Sequence, residues 1–225
     1  MASLQEIYIG SGRGVLNKPG RILAEVLLLL LLLASASQAE GGRVYGGAQA
    51  GMFLPLESAV TLDPAGILGR LTYNPGIVLA AVAGYEFANG MRGEAELNFR
   101  RVTSDKLYGS GAPVQVNADI HSFGVMANAY YDFRTRTAVT PFIGAGLGLA
   151  VATFGRGSSG GTTLWDSGQD RSLAYQGVAG FALALNDRVL LDFAYHHYGT
   201  SPLHFDTLRS QYKGINLATG IRYRF

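Results

Sequence analysis

The chain has 225 residues, 31 of them glycine, with 11% aromatic and only 15% charged residues and a formal charge of +2. Its length and its 48% apolar content allow one or two domains with a full core. No run of lysine or arginine is interleaved with aromatics, which argues against a nucleic-acid partner, and the lack of cysteine excludes disulfides and thiolate metal sites.

At the amino terminus Arg13, Lys18 and Arg21 precede an apolar run at 22–33, broken only by Glu25, and a small-residue stretch follows at 34–39. This is the layout of an export signal, with cleavage expected after Ala39. A spanning helix needs about 20 apolar residues, and this run reaches only about 18 Å. The chain therefore divides into a signal peptide at 1–39 and a mature domain at 40–225.

Eight alternating segments follow, and strands are expected at 43–53, 77–87, 92–102, 119–133, 139–153, 172–185, 188–198 and 214–225. The first is the weakest, because both of its parities are nearly apolar. Three connections are short, with Asn89-Gly90, 134–137 and Asn186-Asp187 at the turns. The other four, 54–76, 103–118, 154–171 and 199–213, are long. Strict alternation of short and long connections is expected of a transmembrane barrel with tight turns at one end and larger loops at the other.

The faces point the same way. Arg92, Glu94, Glu96, Asn98 and Arg100 share one face of the third segment, opposite Gly93, Ala95, Leu97 and Phe99. A polar face of that length does not suit a soluble core. In the fourth segment Phe123, Val125, Ala127, Ala129, Tyr131 and Phe133 oppose Ser122, Gly124, Met126, Asn128, Tyr130 and Asp132. The apolar faces of the second and seventh run through Ile77, Leu79, Ala81, Ala83, Tyr85 and Phe87, and through Val189, Leu191, Phe193 and Tyr195. Their aromatics gather beside the short turns, as in an interfacial girdle. The last segment sets Ile215, Leu217, Ile221, Tyr223 and Phe225 toward lipid and turns Arg222 and Arg224 inward. Backbone in lipid must satisfy every N–H and C=O internally, so these strands must close. The fold expected is all-β, an eight-stranded antiparallel up-and-down transmembrane barrel in a bacterial outer membrane.

Three stretches, 118–133 (ADIHSFGVMANAYYDF), 140–154 (TPFIGAGLGLAVATF) and 173–199 (LAYQGVAGFALALNDRVLLDFAYHHYG), resemble the opacity-protein family of outer-membrane surface antigens, which are OmpA-type eight-stranded barrels. The similarity runs through 118–225 and includes the aromatic carboxy terminus. It departs at His196 and His197, where family members carry arginine. The resemblance implies a surface antigen or envelope component, sometimes an adhesin, with a host or envelope ligand bound through external loops. It also implies that Ile221, Tyr223 and Phe225 form an assembly signal for the barrel-insertion machinery.

Catalytic and metal readings are disfavoured by the residues themselves. Gly144, Gly146 and Gly148 lack the helix and acidic partner of a nucleotide fingerprint, and relief of crowding in a narrow lumen explains them better. His196 and His197 are adjacent on a strand and point to opposite faces, so they do not readily share an ion, and His204 lies in a loop. Asp192 and His196 share a face, yet no hydroxyl on that strand completes a triad. Neither cofactor nor catalytic residue is expected. The lumen charges read instead as structure: Glu86, Glu94, Glu96 and Asp192 balance Arg92, Arg100, Arg222 and Arg224, joined by Asn98, Asn128, Gln176 and His196. Asp192 and Arg222 lie at similar heights above their strand ends and are expected to pair. A plugged, non-enzymatic surface barrel in contact with outer-membrane lipid follows, with a small passive channel as the alternative.

Overall fold

A computed structural model of the protein describes residues 42–56, 58–62, 66–108, 114–115, 118–159, 162–165, 167–205 and 208–225. The expected signal peptide lies outside the described residues, as do the side chains of Trp165 and His204. Eight long strands form the body: β1 (Arg43–Pro55), β2 (Gly76–Glu86), β3 (Met91–Tyr108), β4 (Asp119–Asp132), β5 (Val139–Phe154), β6 (Gly168–Ala184), β7 (Val189–Thr200) and β8 (Lys213–Arg224). Each pairs antiparallel with the next, and β8 pairs with β1, so the sheet closes without a free edge.

The register fixes the barrel's shape. Directly paired residues lead from Tyr45 through Gly84, Glu94, Asn128, Gly146, Gln176, Tyr198 and Gly214 back to β1 at Pro55, ten residues beyond the start (45 to 55). A stagger of that size at about 3.3 Å per residue, over eight strands about 4.8 Å apart, tilts the strands by about 40°. An even stagger returns each strand to the same face, so inward positions remain inward around the whole circuit.

Burial follows that parity. Leu147, Leu149 and Leu173 are 72%, 60% and 64% exposed, whereas Arg100 and Arg222 are 0% and 2% exposed. On β1, the strand whose faces sequence does not separate, Tyr45 and Phe53 are buried inward and Met52 is exposed outward. With the same tilt and spacing, the outward apolar surface runs about 22 Å from the level of Tyr131 and Tyr223 to that of Phe123 and Leu173, close to the apolar band of about 25 Å a bilayer requires. Apart from tyrosine hydroxyls, the outward side chains in this band are apolar except His197 and Thr219. Aromatic contacts ring the short-turn end, Tyr131 with Phe133 at 5.1 Å, Tyr223 with Phe225 at 5.2 Å and Phe181 with Phe193 at 5.1 Å.

Two expectations need correction. Tyr85 has the parity of the lipid face but is only 1% exposed, because the chain entering β1 at Gly42 lies over its ring, with Phe87 against the ring at 4.8 Å. The long connections are not plain loops. β3 continues to Tyr108, and strands Gly66–Tyr73, Ser58–Leu62, Leu208–Ser210 and Leu203–Phe205 add to it in that order as one sheet. A separate hairpin pairs Gly157–Ser159 with Thr162–Trp165. Regular backbone continues there because strand pairing satisfies peptide groups outside lipid as well as within it. At the opposite end Gly90 takes φ 90° in the tight β2–β3 turn, while the Asn89 side chain accepts the Met91 N–H at 2.9 Å.

Candidate functional site

The inward faces of β2, β3, β4, β7 and β8 bring their charged side chains together at the short-turn end. Arg222 binds Asp192 through two N–H donors, Nε at 3.0 Å and Nη2 at 2.8 Å. The two are diagonal neighbours, since Asp192 pairs with Gly220 and Arg222 with Leu190. Arg222 Nη1 also reaches Glu86 at 2.9 Å, although Glu86 stands on β2, across β1. On its way across β1 the Arg222 guanidinium lies 5.2 Å from the centre of the Tyr45 ring. Arg224 Nε meets the other oxygen of Glu86 at 2.8 Å.

A second cluster sits beside it. Arg92 contacts Asp132 at 3.3 Å and Glu94 at 3.3 Å, and its guanidinium lies 4.0 Å from the centre of the Tyr130 ring. Glu94 accepts from the Tyr45 hydroxyl at 2.8 Å, the Tyr130 hydroxyl at 3.1 Å and Asn128 Nδ2 at 3.3 Å. Ion pairs from the guanidinium fork and cation–π contact together hold Arg92, an arrangement lysine does not reproduce.

Farther from the short turns the chemistry changes. Among the described residues Glu96 accepts only from amides, Asn98 Nδ2 at 2.7 Å, Asn128 Nδ2 at 2.8 Å and Gln176 Nε2 at 2.8 Å. Arg100 has no carboxylate within ion-pair distance among the described residues; it donates to Asn98 Oδ1 and to Asn216 Oδ1, and its guanidinium sits 3.6 Å from the Tyr198 ring centre. His196 Nδ1 lies 3.2 Å from Gln176 Oε1. His197 is exposed on the outer face, so the two imidazoles diverge.

All twelve polar and charged lumen positions singled out from sequence point inward, and all are joined by the hydrogen bonds given above. Sequence reasoning left out Asp132, Tyr45, Tyr130 and Asn216. Asp132 and Tyr130 have the inward parity of β4 and were legible on that ground, whereas Tyr45 was masked by the two-sided apolar character of β1. Addition of Asp132 gives, among the described residues, five lumen carboxylates to four guanidiniums. Glycines make room for this packing: a Cβ at Gly144 would meet the Tyr130 ring, one at Gly146 the Asn128 side chain, and one at Gly180 the Phe142 ring. At the carboxy terminus Ile221, Tyr223 and Phe225 face outward, with Phe225 78% exposed and its N–H bonded to Val44 O at 3.0 Å.

A closed eight-stranded barrel with an apolar belt, an aromatic ring and a polar interior is a transmembrane barrel. Residues 26–225 match the model of the outer membrane protein beta-barrel domain, and the chain belongs to that family. It is a bacterial outer-membrane protein. The outer membrane protein PagN of Salmonella typhimurium (strain LT2) is 31% identical over 129 residues, covering 51% of this chain and 53% of PagN. The chain thus spans about half the length of the curated relative it matches. Among solved structures, the outer membrane protein OprG of Pseudomonas aeruginosa superposes with a TM-score of 0.52 at 18% identity, covering 82% of this chain and 96% of OprG. Neisserial surface protein A superposes with a TM-score of 0.49 at 23% identity, covering 83% of this chain and all of that one.

Proposed function

We propose that this protein is a non-enzymatic surface barrel whose lumen is closed to ions and whose long-connection end faces outward to bind a ligand. The observation that carries the closed lumen is the gathering of buried Arg222, Asp192, Arg92, Glu94 and Tyr45, with half-buried Glu86, in the interior at the short-turn end. An ion path needs a continuous wet route, and here the charges are committed to one another. The groups nearest to catalytic chemistry are likewise engaged, Asp192 with Arg222 and His196 with Gln176. The outward direction of the long-connection end rests on the usual asymmetry of such barrels, with tight turns on the periplasmic side. Strands from three of the four long connections join β3 in one sheet, which offers a prospective partner an ordered backbone platform rather than four independent loops. The signal peptide at 1–39 and an assembly signal at Ile221, Tyr223 and Phe225, read by the barrel-insertion machinery, complete the proposal.

Planar-bilayer recording of the refolded protein tests the lumen. Silence is expected, and steady ion-selective openings would instead establish the small passive channel. Protease treatment of intact cells tests the orientation, with cleavage expected only within the four long connections. Cleavage at Asn89-Gly90 or Asn186-Asp187 overturns it.

A further inference from the structure

His196 stands near the middle of the lumen and is 3% exposed. Its Nδ1 faces Gln176 Oε1, while the Gln176 amide nitrogen donates to Glu96 and to Asn128. The Gln176 oxygen is therefore the acceptor, and the ring proton belongs on Nδ1. Nε2 is left as a buried lone pair, and among the described residues no group donates to it. Beside the ring is an internal cavity of about 10 Å³ whose polar lining is Gln49, Glu96, Arg100, His196 and Asn216.

We propose that this cavity is a binding site for a single water molecule that donates to His196 Nε2. The volume matches one water, for which about 10–15 Å³ suffices, and the polar side chains of the lining carry the donors and acceptors such a water uses. The electrostatics select water over an ion. A halide has no proton to give Nε2 and would face the Glu96 carboxylate, whereas a cation would face the Arg100 guanidinium. Water donates toward the imidazole and still offers an oxygen to the guanidinium or an amide. It thereby joins the amide cage of Glu96 to the Arg100–Asn216 group. The site stands independently of what the loops bind and of whether the barrel conducts.

The test is a high-resolution crystal structure of the refolded protein, with crystals also soaked in rubidium bromide so that either ion reveals itself by anomalous scattering. A single ordered water about 2.7–3.2 Å from His196 Nε2, without anomalous signal, is expected. An anomalous peak in the cavity, or a dry cavity, overturns the proposal. His196→Phe keeps a ring but removes the lone pair, and the ordered water should be lost from that variant; persistence of the same peak overturns the role of Nε2. Should that variant fail to fold, nitrogen NMR of the histidine-labelled native barrel decides the matter. Protonated Nδ1 and hydrogen-bonded, unprotonated Nε2 with a cross-peak to a long-lived water are expected, and protonated Nε2 counts against the site.

Discussion

Asn98 links Arg100 to Glu96: the guanidinium donates to the Asn98 carbonyl oxygen, and the Asn98 amide donates to the Glu96 carboxylate. Two buried opposite charges, four residues apart on one strand face with Asn98 midway, are thus coupled by a neutral dipole. Asparagine suits that position because it presents an acceptor and a donor at once.

Asn98→Leu should therefore be among the most destabilising single changes in the lumen. It strips one partner from each of two buried charges, and a loss of about 3–5 kcal/mol is expected. Urea unfolding of the barrel refolded into lipid vesicles measures it. A loss no greater than that of an ordinary side-chain truncation would show that the relay carries little energy.

The pairing of Arg222 sets an order between two variants. Asp192→Asn leaves Arg222 bonded to Glu86, so a cost of about 1–3 kcal/mol is expected. Arg222→Met leaves Asp192 without a cation and Glu86 with only Arg224, and about 3–5 kcal/mol is expected. The double variant should be more stable than the two losses summed. A double-mutant cycle in the same unfolding assay checks both statements, and strict additivity would remove the coupling.

Glycines on opposite faces should respond with opposite signs. Gly146→Ala drives a methyl group into Asn128, and a loss of about 1–3 kcal/mol is expected. Gly177 faces outward with nothing within 4 Å of an added Cβ. Gly177→Ala should be neutral or stabilise by up to about 1 kcal/mol, by reducing the freedom of the unfolded chain. Equal effects at the two sites would contradict the assigned faces.

Depth in the bilayer is readable by arginine substitution. Leu147 is 72% exposed at mid-height, and Leu147→Arg should cost about 2–4 kcal/mol in a bilayer. Leu185 is exposed at the short-turn end, where the same change should cost about 0–1 kcal/mol. Reversal of that order would move the membrane boundaries.

The alternation of side chains sufficed to place eight strands, the three tight turns and the inward side of seven strands. A period of two is a local property, and a chain that must face lipid on one side and a polar lumen on the other writes it into each strand. Position in the lumen was legible for Arg92, Glu94, Glu96, Asn98 and Arg100 on the same ground. Partners were mostly not. Asp192 with Arg222 was an exception, because both stand close to strand ends that fix their heights. Glu86 bonds Arg222 across a strand, Arg92 takes Asp132 instead of the directly opposite Glu86, and among the described residues Glu96 is held by amides alone. Those choices depend on a ten-residue stagger that is a property of the closed sheet. Sequence by itself determined which residues face inward on every strand but β1; closure of the barrel decided which of them meet, because the stagger sets their relative heights only when the last strand joins the first.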